Sequence, residues 1–207
     1  MTMTERLAAE ARDAMDPLRP IQRHLVDLWS VDRAMPPFRR FADSAGDSDV
    51  LTDMWKIVEA AWTLPDSASP TNAGEEVMDR LQVICQRIDD AAGEFGGTSQ
   101  QICLQLDAAI EAFLAGTLDA AEQSVVAALD TQFMRGEESI LYPDPPAEGP
   151  KILIQRPGEV EVRPVSRQFM EDEMKWRAIA TPKAAKFTQI AGPTRLSRPE
   201  ISSSGTE

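Results

Sequence analysis

The stretch Asp49–Trp62, DVLTDMWKIVEAAW, decides the fold class of this chain. Its apolar residues recur three and four positions apart, which is the spacing of one face of an α-helix. They are Val50, Leu51, Met54, Trp55, Val58, Ala61 and Trp62. Ser48 or Asp49 is expected to cap the start of this helix, and Pro65 prevents its continuation. Because each tryptophan buries on the order of 200 Å² and needs neighbouring helices to cover it, we predict that this segment is the central helix of an all-α domain.

The same spacing predicts two helices on the N-terminal side. The first begins at Thr2, which has capping-box spacing to Glu5, and extends to Met15. The second begins at Asp16-Pro17, where a capping residue precedes a proline at the first helical position. Its apolar face comprises Leu18, Ile21, Leu25, Leu28 and Trp29.

Two adjacent prolines, Pro36 and Pro37, are expected to interrupt this second helix, because a proline removes a backbone donor and clashes with the preceding turn. A short helix through Phe38 and Phe41 then follows. Gly46 is expected to end it in a left-handed conformation.

Three further helices are predicted after a loop over residues 63–74 that is rich in proline and small polar residues. The first covers about Glu75–Ala92, the second is capped by Thr98 or Ser99, and a tight Gly116-Thr117 junction separates it from the third. Their apolar faces are Val77, Leu81, Ile84, Cys85 and Ile88; Ile102, Cys103, Leu106, Ile110 and Phe113; and Ala121, Val125, Ala128, Leu129 and Phe133. The tight junction predicts that the last two helices are antiparallel neighbours.

The sequence changes in character over about residues 136–163, where repeated prolines exclude a continuous helix. Within this region KILIQRPGEVEV, at 151–162, is typical of a small β-hairpin with a Pro-Gly turn. A last helix is predicted over Pro164–Ala180. Its apolar face is Val165, Phe169, Met170, Trp176 and Ile179. We therefore predict one all-α domain over residues 1–180, a bundle of about seven helices with a Pro-rich crossover, and a flexible tail over residues 181–207.

The composition of the 207-residue chain bounds its function. An apolar content of 43% is sufficient for a core, and a formal net charge of −13 argues against general binding to nucleic acid or to an anionic membrane. A macromolecular partner is instead expected to be basic. No apolar run approaches the roughly 20 residues of a membrane span, and the N-terminus lacks the pattern of a secretory signal. We predict a cytoplasmic protein with reduced thiols, since Cys85 and Cys103 form no disulfide framework.

Four motifs in a fixed order connect the chain to a known family. They are Arg33-Ala34-Met35-Pro36-Pro37-Phe38 followed by Phe41 and Gly46, then Ala60-Ala61-Trp62-Thr63-Leu64, then Thr117-Leu118-Asp119, and finally Gln168 with Glu171-Asp172-Glu173. In this order they resemble the YjaG-like family of small all-α bacterial proteins, a domain family of unknown function. The similarity covers about residues 16–135, with a weaker match at 164–179. It implies an all-α fold and a bacterial origin, and it brings no catalytic signature.

Few residues are able to carry catalysis. His24 is the only histidine, and one histidine with two scattered cysteines cannot supply the usual four ligands of a zinc site. His24 is therefore expected to be a structural or surface residue. Cys85 and Cys103 lie on predicted core faces without an adjacent histidine or basic cluster, and are expected to behave as small buried hydrophobes.

Acidic clusters are the one pattern in this chain that can conceal a metal site. Asp47, Asp49 and Asp53 have part of the spacing of a calcium loop, but one ligand position is apolar and the required glycine is missing. They are better explained as helix-start residues, which the helix dipole favours. Asp89-Asp90 resembles the paired aspartates of all-α prenyl synthases, but the second motif and the chain length of that fold are absent.

The strongest enzyme alternative is a magnesium-dependent all-α nucleotide pyrophosphohydrolase. Such an enzyme needs carboxylates one helical turn apart on two facing helices, so that both pairs reach one metal. Glu10 with Asp13 and Glu76 with Asp79 have this i,i+3 spacing. However, no Glu-x-x-Glu pair occurs, and solvated helix faces show the same spacing.

We therefore predict a non-catalytic acidic binding protein of the bacterial cytosol, with no catalytic residue, cofactor or metal ligand and with a basic protein as its partner. An immunity protein that neutralises a toxin is the most specific form of this hypothesis, because complementary charge raises the rate of association. One alternative is the pyrophosphohydrolase, with Glu76 and Asp79 at its metal site. The other is a scaffold that forms homo-oligomers through an exposed Trp/Phe face.

Overall fold

Seven α-helices and one 3₁₀ turn account for the regular structure of residues 3–142 and 159–187, the part of the chain that the computed structural model describes. The helices are α1 (Met3–Met15), α2 (Pro20–Ala45), α3 (Ser48–Thr63), α4 (Pro70–Asp90), α5 (Gly96–Ala115), α6 (Leu118–Leu141) and α7 (Glu159–Ala184). The 3₁₀ turn spans Leu64–Asp66, and no strand occurs among these residues. The predicted all-α class and the number of helices are confirmed.

Helix α3 is not the central element, because it packs chiefly against α2 and α4. Helix α2 packs against α3, α5, α6 and α7, and α6 packs against α1, α2, α5 and α7. The side chains of Trp29 and Phe38 in α2 are fully buried. The prediction of a helix over Asp49–Trp62 was correct, but its central position was wrong, because an apolar face reports burial and not the number of neighbours.

The N-terminus of α3 is capped one residue earlier than expected. The carboxylate of Asp47 accepts a hydrogen bond from the backbone amide of Val50 at 3.1 Å, so that Asp47 is the cap in place of Ser48 or Asp49. Five of the seven residues of the predicted apolar face are buried, whereas Leu51 and Trp55 are only partly buried. Ile57 is also fully buried.

The prolines at 36 and 37 do not end α2. The helix continues through both of them to Ala45, and it ends at Gly46 in the left-handed conformation with φ 70°. Phe38 and Phe41, which follow the prolines, are both buried against the rest of the core. Tertiary packing on both sides of the prolines therefore holds the helix together where local propensity predicts a break.

Two helices begin at prolines, although the sequence pattern predicted that they begin at other residues. Helix α2 begins at Pro20 and not at Asp16, and α4 begins at Pro70 and not at Glu75. Proline is favourable in the first helical turn because the amide that it lacks has no intrahelical acceptor there. Helix α4 therefore includes residues 70–74, which were predicted to belong to the loop.

The start of α5 is capped by a side chain from another helix. Phe95 precedes the helix with φ 58°, and the carboxylate of Glu138 in α6 accepts the amides of Gly97 at 3.0 Å and Thr98 at 2.8 Å. Thr98 and Ser99, the predicted caps, are buried inside the first turn. Thr98 and Ser99 are not needed as caps, because tertiary structure places the Glu138 carboxylate where it satisfies the free amides.

Helices α5 and α6 form the predicted antiparallel pair. Gly116 ends α5 with φ 67°, and the hydroxyl of Thr117 accepts the amide of Ala120 at 3.2 Å to start α6. Helix α6 then continues past Gly136 to Leu141, beyond its predicted end. Phe133, which was predicted to face inward, is 42% exposed.

Helix α7 is longer than predicted at both ends. Residues 159–162, assigned to the second strand of the hairpin, are helical, and the rest of that hairpin lies outside the described residues. The helix also continues from 180 to Ala184, into the segment that was predicted to be a flexible tail. Ile179 is 41% exposed, although it was assigned to the apolar face.

Residues just after α7 are attached to the start of α2. The ring of Phe187 contacts Trp29 edge-on with 6.0 Å between ring centroids. Its backbone carbonyl accepts hydrogen bonds from Arg19 at 3.0 Å and Gln22 at 2.9 Å. The predicted tail is therefore wrong as far as residue 187, and residues 188–207 lie outside the described part.

A candidate binding groove between helices α4 and α5

His24 lies in the interior of the bundle. Its ring stacks on Phe113 with 4.6 Å between ring centroids, and its two nitrogens each lie 3.2 Å from a backbone carbonyl, Nδ1 from Ala109 and Nε2 from Ala61. Burial lowers the pKa of His24 to about 4, and this effect outweighs the two carbonyls, which favour the protonated ring. The neutral ring therefore links α2 to α3 and α5 as a structural residue.

A buried ionic network joins α2 to α7. Arg177 of α7 donates to Asp27 of α2 at 2.9 Å and to Glu173, one turn earlier, at 3.0 Å. The second oxygen of Glu173 pairs with Arg33 at 2.6 Å, and the Ser30 hydroxyl donates to the first at 2.6 Å. Because the carboxylates and Arg177 are almost fully buried, each charge depends on its partners for stabilisation.

This network has a structural role. Burial raises the pKa of Asp27, and the charge of Arg177 offsets only part of that shift. Gln105 of α5 donates to the Ser30 hydroxyl at 2.9 Å, so that three helices meet at one cluster. Removing one partner would leave an uncompensated charge in the interior, which is energetically costly. The network therefore fixes the position of α7 against α2.

Sequence reasoning missed the network for a physical reason. Glu173 and Arg177 are four residues apart, which is also the spacing of an ordinary solvated ion pair on a helix surface. The available signal was Asp27, a charged residue within the largely apolar run LVDLWSV at 25–31. A charge in the middle of a buried run indicates a buried partner.

The carboxylates that suggested a metal site lie apart. Glu10 and Asp13 are exposed on α1, and Glu76 and Asp79 are exposed on α4. Helix α1 packs chiefly on α6 and α7, whereas α4 packs on α3 and α5. Over residues 3–142 and 159–187, no group of three or more His, Cys, Asp or Glu side chains is arranged to hold a metal ion.

The acidic cluster at the start of α3 takes part in helix packing. Arg87 of α4 pairs with Asp47 at 2.7 Å and with Asp53 at 3.0 Å. Arg87 holds the pKa of Asp47 below its ordinary value, and Lys56 together with Arg87 does the same for Asp53. These ion pairs attach α4 to the start of α3.

A groove of about 340 Å³ lies between α4 and α5. The apolar part of its lining, which we call the floor, consists of Met78, Leu81, Cys85, Cys103 and Leu104. Leu104 is 51% exposed although it lies in the middle of α5. An apolar groove between two helices is the geometry that receives the apolar face of another helix, and methionine adapts readily to such a ligand.

Carboxylates surround this groove without matching cations. Asp79 and Asp107 line it, and Glu111 follows Asp107 by one turn. We call these three residues the rim. Helix α5 contains no lysine or arginine, and no Lys or Arg within the described residues pairs with the rim. Burial and the neighbouring Glu111 raise the pKa of Asp107, so an added cation would stabilise its charged form.

The structure brings the two cysteines together on the floor. Cys85 of α4 and Cys103 of α5 line the same groove from its two walls. Cys85 is half-buried and Cys103 is fully buried, so the prediction of buried hydrophobes holds for Cys103 alone. Their positions in the sequence could have predicted that they share one groove. Both lie at similar distances from the loop over residues 91–95, which joins two antiparallel helices.

A second cavity, of about 330 Å³, lies beside the start of α5. The guanidinium group of Arg40 stacks on the ring of Phe95 at 4.7 Å, and that of Arg135 stacks on Phe169 at 5.0 Å. Arg40 also pairs with Glu94 at 2.8 Å. Since both arginines are already engaged, the groove between α4 and α5 is the better candidate for a binding site.

No protein-family model, curated protein sequence or solved structure matches this chain. The resemblance to the YjaG-like family therefore stays a prediction. None of the helices in the described ranges has the length and apolar character needed to cross a membrane.

Proposed function

We propose that this protein is a non-catalytic binding protein whose α4–α5 groove receives a basic amphipathic helix of a partner protein. One observation carries the proposal. The floor is apolar and exposes Leu104 and parts of Met78 and Cys85 to solvent, and no Lys or Arg among the described residues forms an ion pair with the carboxylates of the rim. A ligand with the complementary pattern has apolar residues on one face and lysine or arginine beside them.

The floor would supply most of the binding free energy. Leu104 exposes about half of its surface, and covering that part contributes roughly 1 kcal/mol by area alone. Met78 and the half-exposed Cys85 offer further apolar surface beside it. Apolar side chains at positions i, i+3 or i+4 of a partner helix would lie along this row.

The rim would orient the bound helix of the partner and increase the rate of association. Lysine or arginine flanking the apolar face would pair with Asp79 and Asp107, and each exposed pair contributes about 0.2–1 kcal/mol. An ion pair at Asp107 contributes more binding free energy than one at an exposed carboxylate, because burial disfavours the charged form of Asp107 in the free protein. The net charge of −13 also attracts a basic partner from a distance.

An immunity protein that neutralises a basic toxin is the most specific form of this proposal. Such a protein must find its target quickly, and complementary charge accelerates association. The net charge and the uncompensated rim both support this form. The chemistry expected of the target is a basic helix next to its own functional surface.

We expect a charge-neutralising change in the rim to weaken binding. The double variant Asp79→Asn/Asp107→Asn should bind a synthetic peptide with leucines at helical spacing and flanking lysines about tenfold more weakly than the wild type, because two ion pairs are lost. Titration calorimetry at low salt measures the affinity. The same variant should fail to retain the basic protein that the wild type captures from lysate of the source organism.

The double variant Asp16→Asn/Asp43→Asn is the matched control. It removes the same charge from exposed positions away from the groove, and its affinity should stay within about twofold of the wild type. Leu104→Ser tests the floor without changing the charge. Equal binding by the rim, floor and control variants would contradict the proposal. Magnesium-dependent hydrolysis of nucleoside triphosphates that Glu76→Gln abolishes would support the pyrophosphohydrolase in its place.

A further inference from the structure

The two thiols on the floor of the groove form a pair with unequal surroundings. Cys85 of α4 is partly exposed to solvent, whereas Cys103 of α5 is fully buried. Both side chains line the open groove, one from each helix. Because Cys85 is the more exposed of the two, a reagent that enters the groove reaches Cys85 more readily than Cys103.

The electrostatics of the pair favour Cys85 as the nucleophile. The hydrogen bond with Cys103 lowers the pKa of the Cys85 thiol, although burial and the carboxylates of Asp107 and Asp89 act in the opposite direction. The same contact, together with burial, raises the pKa of the Cys103 thiol well above its ordinary value. Because the thiolate is the attacking species, Cys85 reacts while Cys103 keeps its proton.

We propose that Cys85 and Cys103 form a thiol–disulfide exchange site for neutral or cationic low-molecular-weight disulfides. The site is independent of the proposed partner, because it needs only the groove and the two thiols. Cys85 is the attacking residue, and Cys103 is the resolving residue.

The chemistry balances with the disulfide as the oxidant. The Cys85 thiolate attacks one sulfur of the reagent, the reagent's sulfur–sulfur bond breaks, and one half leaves as a thiolate that takes a proton from solvent. Cys103 then loses its proton and attacks the Cys85 sulfur, and the second half of the reagent leaves as a thiol. The dithiol is oxidised to one disulfide, and the reagent is reduced to two thiols.

The formation of the bond requires the two walls of the groove to bring the thiols together. A disulfide needs its two Cβ atoms within about 4.5 Å. Because Cys85 and Cys103 line the same groove from α4 and α5, side-chain rotation and an approach of these two helices would complete the bond. The product joins the two walls of the groove through its floor.

The rim sets the selectivity of this site. Asp79 and Asp107 line the groove beside the thiols, Asp107 and Asp89 act on the Cys85 thiol, and Glu111 lies one turn beyond Asp107. Their negative potential raises the local concentration of cationic reagents and lowers that of anionic ones. The site therefore accepts a disulfide with ammonium groups more readily than one with carboxylates.

The test compares three reagents with the reduced, folded protein. They are cystamine, 2-hydroxyethyl disulfide and dithiodiglycolate, which are cationic, neutral and anionic. We expect an intramolecular Cys85–Cys103 bond, detected by non-reducing peptide mapping and by an intact mass lower by two hydrogens. At low salt cystamine should react at least about tenfold faster than dithiodiglycolate.

Single variants separate the two roles. Cys103→Ser should stop at a mixed disulfide on Cys85 that retains half of the reagent, whereas Cys85→Ser should react more than about tenfold slower, because the remaining thiol is buried. Circular dichroism confirms that both variants are folded. Asp79→Asn/Asp107→Asn should reduce the preference for cystamine, and Asp16→Asn/Asp43→Asn should retain it.

Three results would overturn the proposal. The first is an intramolecular bond that forms only in denaturant. The second is equal reaction rates for the two single cysteine variants. Equal rates for the three reagents with the wild type would remove the selectivity that the rim is proposed to supply.

Discussion

His24 shows how burial and hydrogen bonding compete at a single side chain. Two backbone carbonyls face its nitrogens, yet a neutral ring can donate to only one of them. Burial dominates and lowers its pKa to about 4. The unfolded chain, in contrast, exposes a histidine of ordinary pKa near 6.5.

We expect this difference to make the protein sensitive to mild acid. The unfolded state takes up a proton below about pH 6.5, whereas the folded state does so only near pH 4, so stability is lost as the pH falls through this window. Between pH 7 and pH 5 the free energy of unfolding should fall by about 2 kcal/mol through His24 alone. Urea denaturation at the two pH values measures it.

The control for this prediction is His24→Gln, a polar residue that does not titrate. Its stability at pH 7 is expected to be lower, but its loss between pH 7 and pH 5 should be smaller than that of the wild type by the same amount. An identical loss in both proteins would show that His24 is not the group responsible.

Single-residue assignments were the least predictable part of the structure. Asp47 replaced Ser48 and Asp49 as the cap of α3, and Glu138 replaced Thr98 and Ser99 at α5. The first correction is a shift along the chain. The second depends on a carboxylate from a separate helix, which no local pattern contains.

At the scale of elements, the contact between α6 and α7 depends on a glycine. A Cβ atom at Gly136 would lie 2.5 Å from the Cα atom of Ser166 in α7. The obstacle is backbone, so it cannot be relieved by a side-chain rotation. Gly136 is therefore the point at which the two helices approach each other closely, and its position inside α6 is explained by packing and not by a helix end.

We expect Gly136→Ala to destabilise the protein by about 1–2 kcal/mol. Alanine gains up to about 1 kcal/mol from helix propensity, but overpacking costs about 1–3 kcal/mol or more. Thermal unfolding measures the net change. In the control Gly96→Ala, the added methyl group meets only the ring of Phe41 at 3.9 Å, so the melting temperature should hold or rise. A stabilised Gly136→Ala variant would contradict the close approach.

Helix existence was predictable because it depends on the spacing of apolar residues, which the sequence displays directly. Helix limits were less predictable, since α2 passes through Pro36 and Pro37 and α7 extends beyond both of its expected ends. In these cases the neighbouring helices supply the stabilisation that local propensity lacks. The groove was not predictable, because it exists only where α4 and α5 lie side by side.

At the scale of the whole molecule, the charge of −13 is expected to act on association rates. The rate constant for binding a basic peptide or partner should fall by about tenfold or more between 50 mM and 500 mM salt, whereas the dissociation rate should change less. Stopped-flow fluorescence measures both rates. An association rate that ignores ionic strength would remove charge steering from the proposed function, although the groove could still bind through its floor.

The position of α1 has a consequence for how the protein is made. Its chief packing partners, α6 and α7, are the last two of the described helices in chain order. During synthesis the first helix therefore leaves the ribosome long before the surfaces that cover it exist, and its apolar face has to wait in solvent or against a chaperone. The bundle can close only when α7 has been translated, so termination anywhere before α7 should yield a product that is prone to aggregation and degradation.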